Sequence, residues 1–164
     1  MKLRTLLATM VLTVATITTT VAHGESDLAC TGLGTGALKV RGDLPPRVLD
    51  RIQAMAQKVE TLPMPAGVTC KELGKILGRL VNGSFQGGKK LEDNQPLDVA
   101  KAQTELEQAL QQNPELKTQL DGLRDAVSDD QVRMLYEAAL LQSNNLYGAR
   151  DLRLQQLIEQ AKGG

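Results

Sequence analysis

Two cysteines, Cys30 and Cys70, and a single histidine, His23, are the residues here best suited to chemistry, and their spacing limits what that chemistry is. A reactive dithiol wants Cys-x-x-Cys, but these cysteines stand about 40 positions apart, too far for the low-pKa motif that drives thiol exchange. With one histidine near the start of the chain, no internal imidazole exists for a Ser-His or Cys-His nucleophile pair or for a zinc site built on histidines. If the mature chain begins at His23, its α-amine and ring nitrogen form a two-nitrogen chelate suited to square-planar copper. That makes His23 the one metal candidate and a copper-handling role the alternative reading.

The remaining motifs are weaker. Gly83-Ser84-Phe85-Gln86-Gly87 resembles a nucleophile elbow only superficially, because the serine follows the glycine directly and no strand precedes it. Gly87-Gly88-Lys89-Lys90 lacks the spacing and strand of a phosphate-binding loop and reads as a solvated turn. The glycines of Thr31-Gly32-Leu33-Gly34-Thr35-Gly36 miss the dinucleotide fingerprint in the same way, so no cofactor is expected. Asp129 and Asp130 point in different directions on a helix and are expected to cap it rather than bind a cation. Carboxylate-only catalysis needs two acids across a cleft, whereas the acids here fall mainly on expected outer faces.

Composition narrows the choice further. The chain has 164 residues, with 19 basic and 19 acidic side chains, no Trp, and three aromatic residues, Phe85, Tyr136 and Tyr147. A nucleic-acid site needs excess positive charge or stacking aromatics, and neither is present, so no nucleic-acid partner is expected.

Residues 1–22 read as an export signal. Lys2 and Arg4 precede an apolar run over residues 6–14, and Thr20-Val21-Ala22 supplies the small residues that signal peptidase accepts, so cleavage is expected after Ala22. The threonines of residues 16–20 interrupt the run before it reaches the roughly 18 to 20 apolar residues of a membrane span, so no stable anchor is expected after cleavage. Export to the periplasm or the exterior favours a disulfide between Cys30 and Cys70, whose loop of about 40 residues corresponds to roughly 4 kcal/mol in the chain-entropy model. Residues 23–42 carry no sustained periodicity and read as an irregular arm stapled by that bridge, ahead of a helical domain over residues 43–164.

The elements that must position these residues are helices. From Asp43, a candidate cap, Pro45 and Pro46 suit a first turn, and Val48, Ile52, Met55, Val59 and Leu62 alternate by four and three until Pro63 and Pro65 stop the pattern. Thr69-Cys70-Lys71-Glu72 is a capping box opening a helix with Leu73, Ile76, Leu77, Leu80 and Val81 on one face, ended by Asn82-Gly83. After a loop over residues 83–95, residues 96–112 form a thinly striped helix through Val99, Leu106 and Leu110, expected to be the most exposed. Asn113-Pro114 opens the next, with Leu116, Leu120, Leu123 and Val127, and Ser128-Asp129-Asp130-Gln131 a second capping box ahead of Val132, Leu135, Tyr136, Ala139 and Leu140. Asn144-Asn145 marks a break before a last short helix with Leu154, Leu157, Ile158 and Ala161. Five or six helices and no strand predict a small all-α bundle with antiparallel neighbours.

Charge is unevenly distributed. Residues 23–90 hold ten basic and six acidic side chains, residues 91–130 three and ten, and residues 131–164 four and three. That asymmetry either steers a partner or lets the parts of one bundle attract each other. By elimination, the expected function is a non-catalytic helical binding or accessory protein acting on another exported protein, with a small enzyme as the alternative. The candidate contact residues are Lys101, Glu105 and Glu107 on the thinly striped helix, then Phe85, Lys89 and Lys90 in the loop.

Overall fold

A computed structural model describes Cys30, Leu33 and residues 44–82 and 95–164. The expected export signal over residues 1–22, His23 and most of the arm, together with Phe85, Lys89 and Lys90, lie outside those residues. Among the described residues the chain is all-α, with six helices: α1 (Pro46–Val59), α2 (Cys70–Val81), α3 (Val99–Gln112), α4 (Pro114–Ala126), α5 (Asp130–Ser143) and α6 (Tyr147–Gly163).

Helix α1 buries Val48, Ile52, Met55 and Val59, the residues at alternating spacings, together with Leu49 and Ala56. Asp43 is not among the described residues; Pro45 occupies the cap position without a side-chain hydrogen bond, and Pro46 enters the first turn, where a missing N–H costs nothing. The helix closes at Val59, so Leu62 packs partly buried from the connector rather than from the last turn. Two guanidiniums of α1 satisfy the far end of the chain: Arg47 donates to the carbonyl of Lys162 at 3.0 Å and Arg51 to that of Ala161 at 2.7 Å. The last carbonyls of α6 have no intrahelical donors, and α1 supplies them.

The connector to α2 is anchored by buried Met64 and Val68 and turns at Gly67, whose φ of 81° lies in the left-handed region open to glycine. The capping box forms reciprocally: Glu72 N–H donates to Thr69 Oγ1 at 3.2 Å and Thr69 N–H to Glu72 Oε2 at 2.9 Å. Leu73, Ile76, Leu77, Leu80 and Val81 are all fully buried. Asn82 ends the helix at φ −81°, and Gly83, the second residue of the expected stop, lies outside the described residues. The Cys30–Cys70 disulfide is present, and one turn further along α2 a β-carbon on Gly74 would lie 3.0 Å from the Leu33 side chain. The arm thus meets α2 at a bridge and at a close approach.

Helix α3 starts at Val99, later than residue 96, because Asp98 accepts from the Lys101 N–H at 3.0 Å and so sets the first turn. Only Ala102 on it is buried. A single residue joins α3 to α4: Asn113 closes the first helix and caps the second, accepting from the Leu116 N–H at 3.1 Å.

Helix α5 is capped by Asp129 rather than Ser128, its carboxylate taking the N–H groups of Gln131 and Val132. An ionised acceptor outcompetes a hydroxyl at the positive end of a helix. The stripe of Val132, Leu135, Tyr136, Ala139 and Leu140 is buried, and so is the opposite side, through Met134, Glu137, Ala138 and Leu141. Helix α5 is the central element, packed against α6, α2, α4 and α1.

Helix α6 is longer than the sequence pattern suggests. It begins at Tyr147, immediately after a turn in which Asn145 takes φ 60°, runs 17 residues, and buries Ala149, Arg150, Asp151 and Leu152 ahead of Leu154, Leu157, Ile158 and Ala161. Among the described residues no helix is long and apolar enough to cross a membrane.

Candidate functional site

A cleft of about 800 Å³ opens where the N-terminal turns of α3 and α6 meet. Asp98, Lys101 and Glu105 line it from α3, and Tyr147 and Gly148 from α6. Helix α6 has no side-chain cap from its own flank. Glu105 supplies one across the interface, accepting from the Ala149 N–H at 3.2 Å. Glu105 is therefore a half-buried tie between two helices rather than the water-facing acid expected, whereas Lys101 and Glu107 are exposed.

Below the cleft lies a buried ion pair that the sequence pattern does not reveal. Arg150 and Asp151 are 1% and 0% exposed, with Arg150 Nε and Nη2 donating to Asp151 Oδ1 at 3.0 and 2.7 Å. Arg150 Nη1 also donates to Gln142 Oε1 at 3.1 Å, and the guanidinium carbon sits 5.0 Å from the centre of the Tyr147 ring. The ring is held on one side by this cation and at its hydroxyl by Asn145, 3.1 Å away. Its position at the cleft is thereby fixed. An apolar-stripe reading begins α6 at Leu154 and misses Tyr147, Arg150 and Asp151, because two of the three are charged.

A second charged group is built around Glu137 of α5. Arg153 Nε lies 2.5 Å from Glu137 Oε2, as an ion pair whose N–H is not aimed along the contact, and Arg133 Nε lies 3.9 Å from Oε1. Arg133 also pairs with exposed Asp130 at 2.7 Å.

Much of the sequence's acidic stretch is engaged within the molecule. Asp98 and Asp129 cap helices, Glu105 caps α6, and Asp121 pairs with Lys117 at 2.6 Å and Arg124 at 3.8 Å. The Lys117 ammonium, donating to it, holds the Asp121 carboxyl below its usual range. Lys58 does the same for Asp129, helped by the backbone donors of Val132 and Gln131, and links the basic and acidic parts of the chain. Asp129 and Asp130 thus have separate partners, consistent with capping and pairing. Among the described residues no group of three or more His, Cys, Asp and Glu side chains is placed to hold a metal ion.

Fold and cleft together define a small helical bundle with one disulfide and a surface cleft formed by two helix ends. The chain matches no known family model, no characterised protein and no solved structure.

Proposed function

We propose that this chain is an exported, non-catalytic helical module that binds a segment of another envelope or secreted protein at the α3–α6 cleft. One observation carries the reading: the two large apolar residues that stand exposed among the described residues, Val99 at 42% and Tyr147 at 41%, both lie where α3 and α6 begin. Scattered exposed apolar residues need no explanation, but Tyr147 lines the cleft as an aromatic already fixed in place, and Val99 opens the helix that forms the cleft's other wall. The partner segment supplies an apolar side chain to Tyr147 and Val99. Its rim carries positive charge, opposite the carboxylates of Asp98 and Glu105 that line the cleft. The Cys30–Cys70 bridge supports action in an oxidising compartment, periplasmic or extracellular.

The test places a photo-crosslinking residue at Val99, at Tyr147 or at Lys75 of α2 in the native host. A shared adduct from positions 99 and 147 and none from 75 supports the reading. Equal adducts from all three positions, or an adduct from 75 alone, overturn it.

A further inference from the structure

The geometry points to a second binding site: the groove between α3 and α4 takes a single-chain anionic amphiphile, a medium-chain fatty-acid anion. Leu106 and Leu110 of α3 face Leu120 of α4, and all three are only partly buried. Leu141 of α5 closes the floor. Helices α3 and α4 are joined by Asn113 alone and α3 packs chiefly on α6; between α3 and α4 a space of about 250 Å³, lined by these leucines and by charged side chains, stands open among the described residues. It lies just below the roughly 300–1,000 Å³ of drug-sized sites, a volume suited to one acyl chain and too small for a two-chain lipid.

Charge selects the head group. Residues 91–130 hold only three basic side chains among ten acidic ones, yet two of those three, Lys117 and Arg124, line this groove. Arg153 of α6 joins them. The two carboxylates that also line it are already engaged, Asp121 by Lys117 and Arg124 and Glu137 by Arg153. Arg124 reaches Asp121 through one nitrogen at 3.8 Å, so most of its five donors can turn to a ligand. The most acidic stretch of the chain thus folds into a groove of net positive charge over an apolar floor, which complements a carboxylate on a hydrocarbon tail. This site is separate from the α3–α6 cleft and does not depend on what binds there.

Calorimetric titration of the intact, disulfide-bonded chain with octanoate, decanoate and decyltrimethylammonium tests it. Decanoate is expected to bind at one site and roughly tenfold or more tighter than octanoate, since two additional methylenes become buried. Decyltrimethylammonium, with the same tail and opposite charge, is expected to bind at least about tenfold more weakly. The surface double variant Lys117→Glu/Arg124→Glu should lose decanoate binding while its circular dichroism is unchanged, and Lys101→Glu, in the other cleft, should bind normally. Equal affinity for the two head groups, no dependence on chain length, full binding by the double variant, or binding to phosphatidylglycerol vesicles without binding to decanoate would each overturn the proposal.

Discussion

Glu105 of α3 occupies the space that a side chain at Gly148 of α6 would need: a β-carbon on residue 148 would stand 2.5 Å from Glu105 Oε2. The glycine is what lets the carboxylate reach the N–H of Ala149, so one residue's missing atom and another's charge form a single cap.

A double-mutant cycle measures that dependence. Glu105→Ala is expected to lower stability by about 1 kcal/mol, the usual cost of losing a helix N-terminal acceptor. In a Gly148→Ala background the added methyl has already displaced the flexible carboxylate, so Glu105→Ala should cost only about 0.3 kcal/mol or less. Urea unfolding of the four proteins checks it, and additive losses would show that the cap and the glycine are independent.

Tyr136 sits fully buried on α5, and among the described residues its hydroxyl has no hydrogen-bond partner. Tyr136→Phe removes an unsatisfied polar group without opening a cavity and should raise stability by about 1 kcal/mol. Burial also pushes the Tyr136 pKa from 10.0 up to about 12. Above pH 10 the unfolded chain releases this proton and the folded one keeps it, so stability should fall as the pH rises from 10 towards 12. Urea unfolding across that alkaline range should show a smaller fall in the Phe variant.

Asp129 separates a cap from a surface ion pair. Asp129→Ala should cost about 1 to 2 kcal/mol, because the Gln131 and Val132 donors lose their acceptor. Lys58→Ala should cost about 0.5 kcal/mol or less and only at low salt, since the lysine is largely exposed. The Lys58 ammonium holds this carboxyl below its ordinary value of 3.8 in the folded state, so its contribution is complete above that pH and is lost as the pH falls through the lower, folded value. Acid titration of thermal stability for wild type and Asp129→Asn should differ in that acidic window.

The disulfide should leave no thiol open to alkylation in Cys30 or Cys70. Cys70→Ser should lower stability by roughly 2 to 5 kcal/mol, the range for losing a native bridge in a small domain. The helices pack through their own core, Leu73, Ile76, Leu77 and Leu80 included, so far-UV circular dichroism at low temperature should remain helical.

The sequence by itself determined the class of fold, the helices and the bridge. Those features are local: the Thr69 and Glu72 capping box, the prolines at 63 and 65 and the alternating leucines act within one or two turns. The Cys30–Cys70 pairing was legible because only two cysteines were available. Tertiary structure decided which helix became central and which charges went inside. The buried stripe predicted for α5 was correct on one face, but only packing by four neighbouring helices buried Met134, Glu137 and Leu141 on the other. The start of α6 escaped the pattern because Arg150 and Asp151 are hydrophilic singly and tolerable in the core only as a hydrogen-bonded pair. Glu105, expected to face a partner through solvent, was instead drawn to the N-terminus of α6, 44 residues away in sequence. No local pattern encodes such a contact, because the donor it satisfies comes into reach only when α3 has docked on α6.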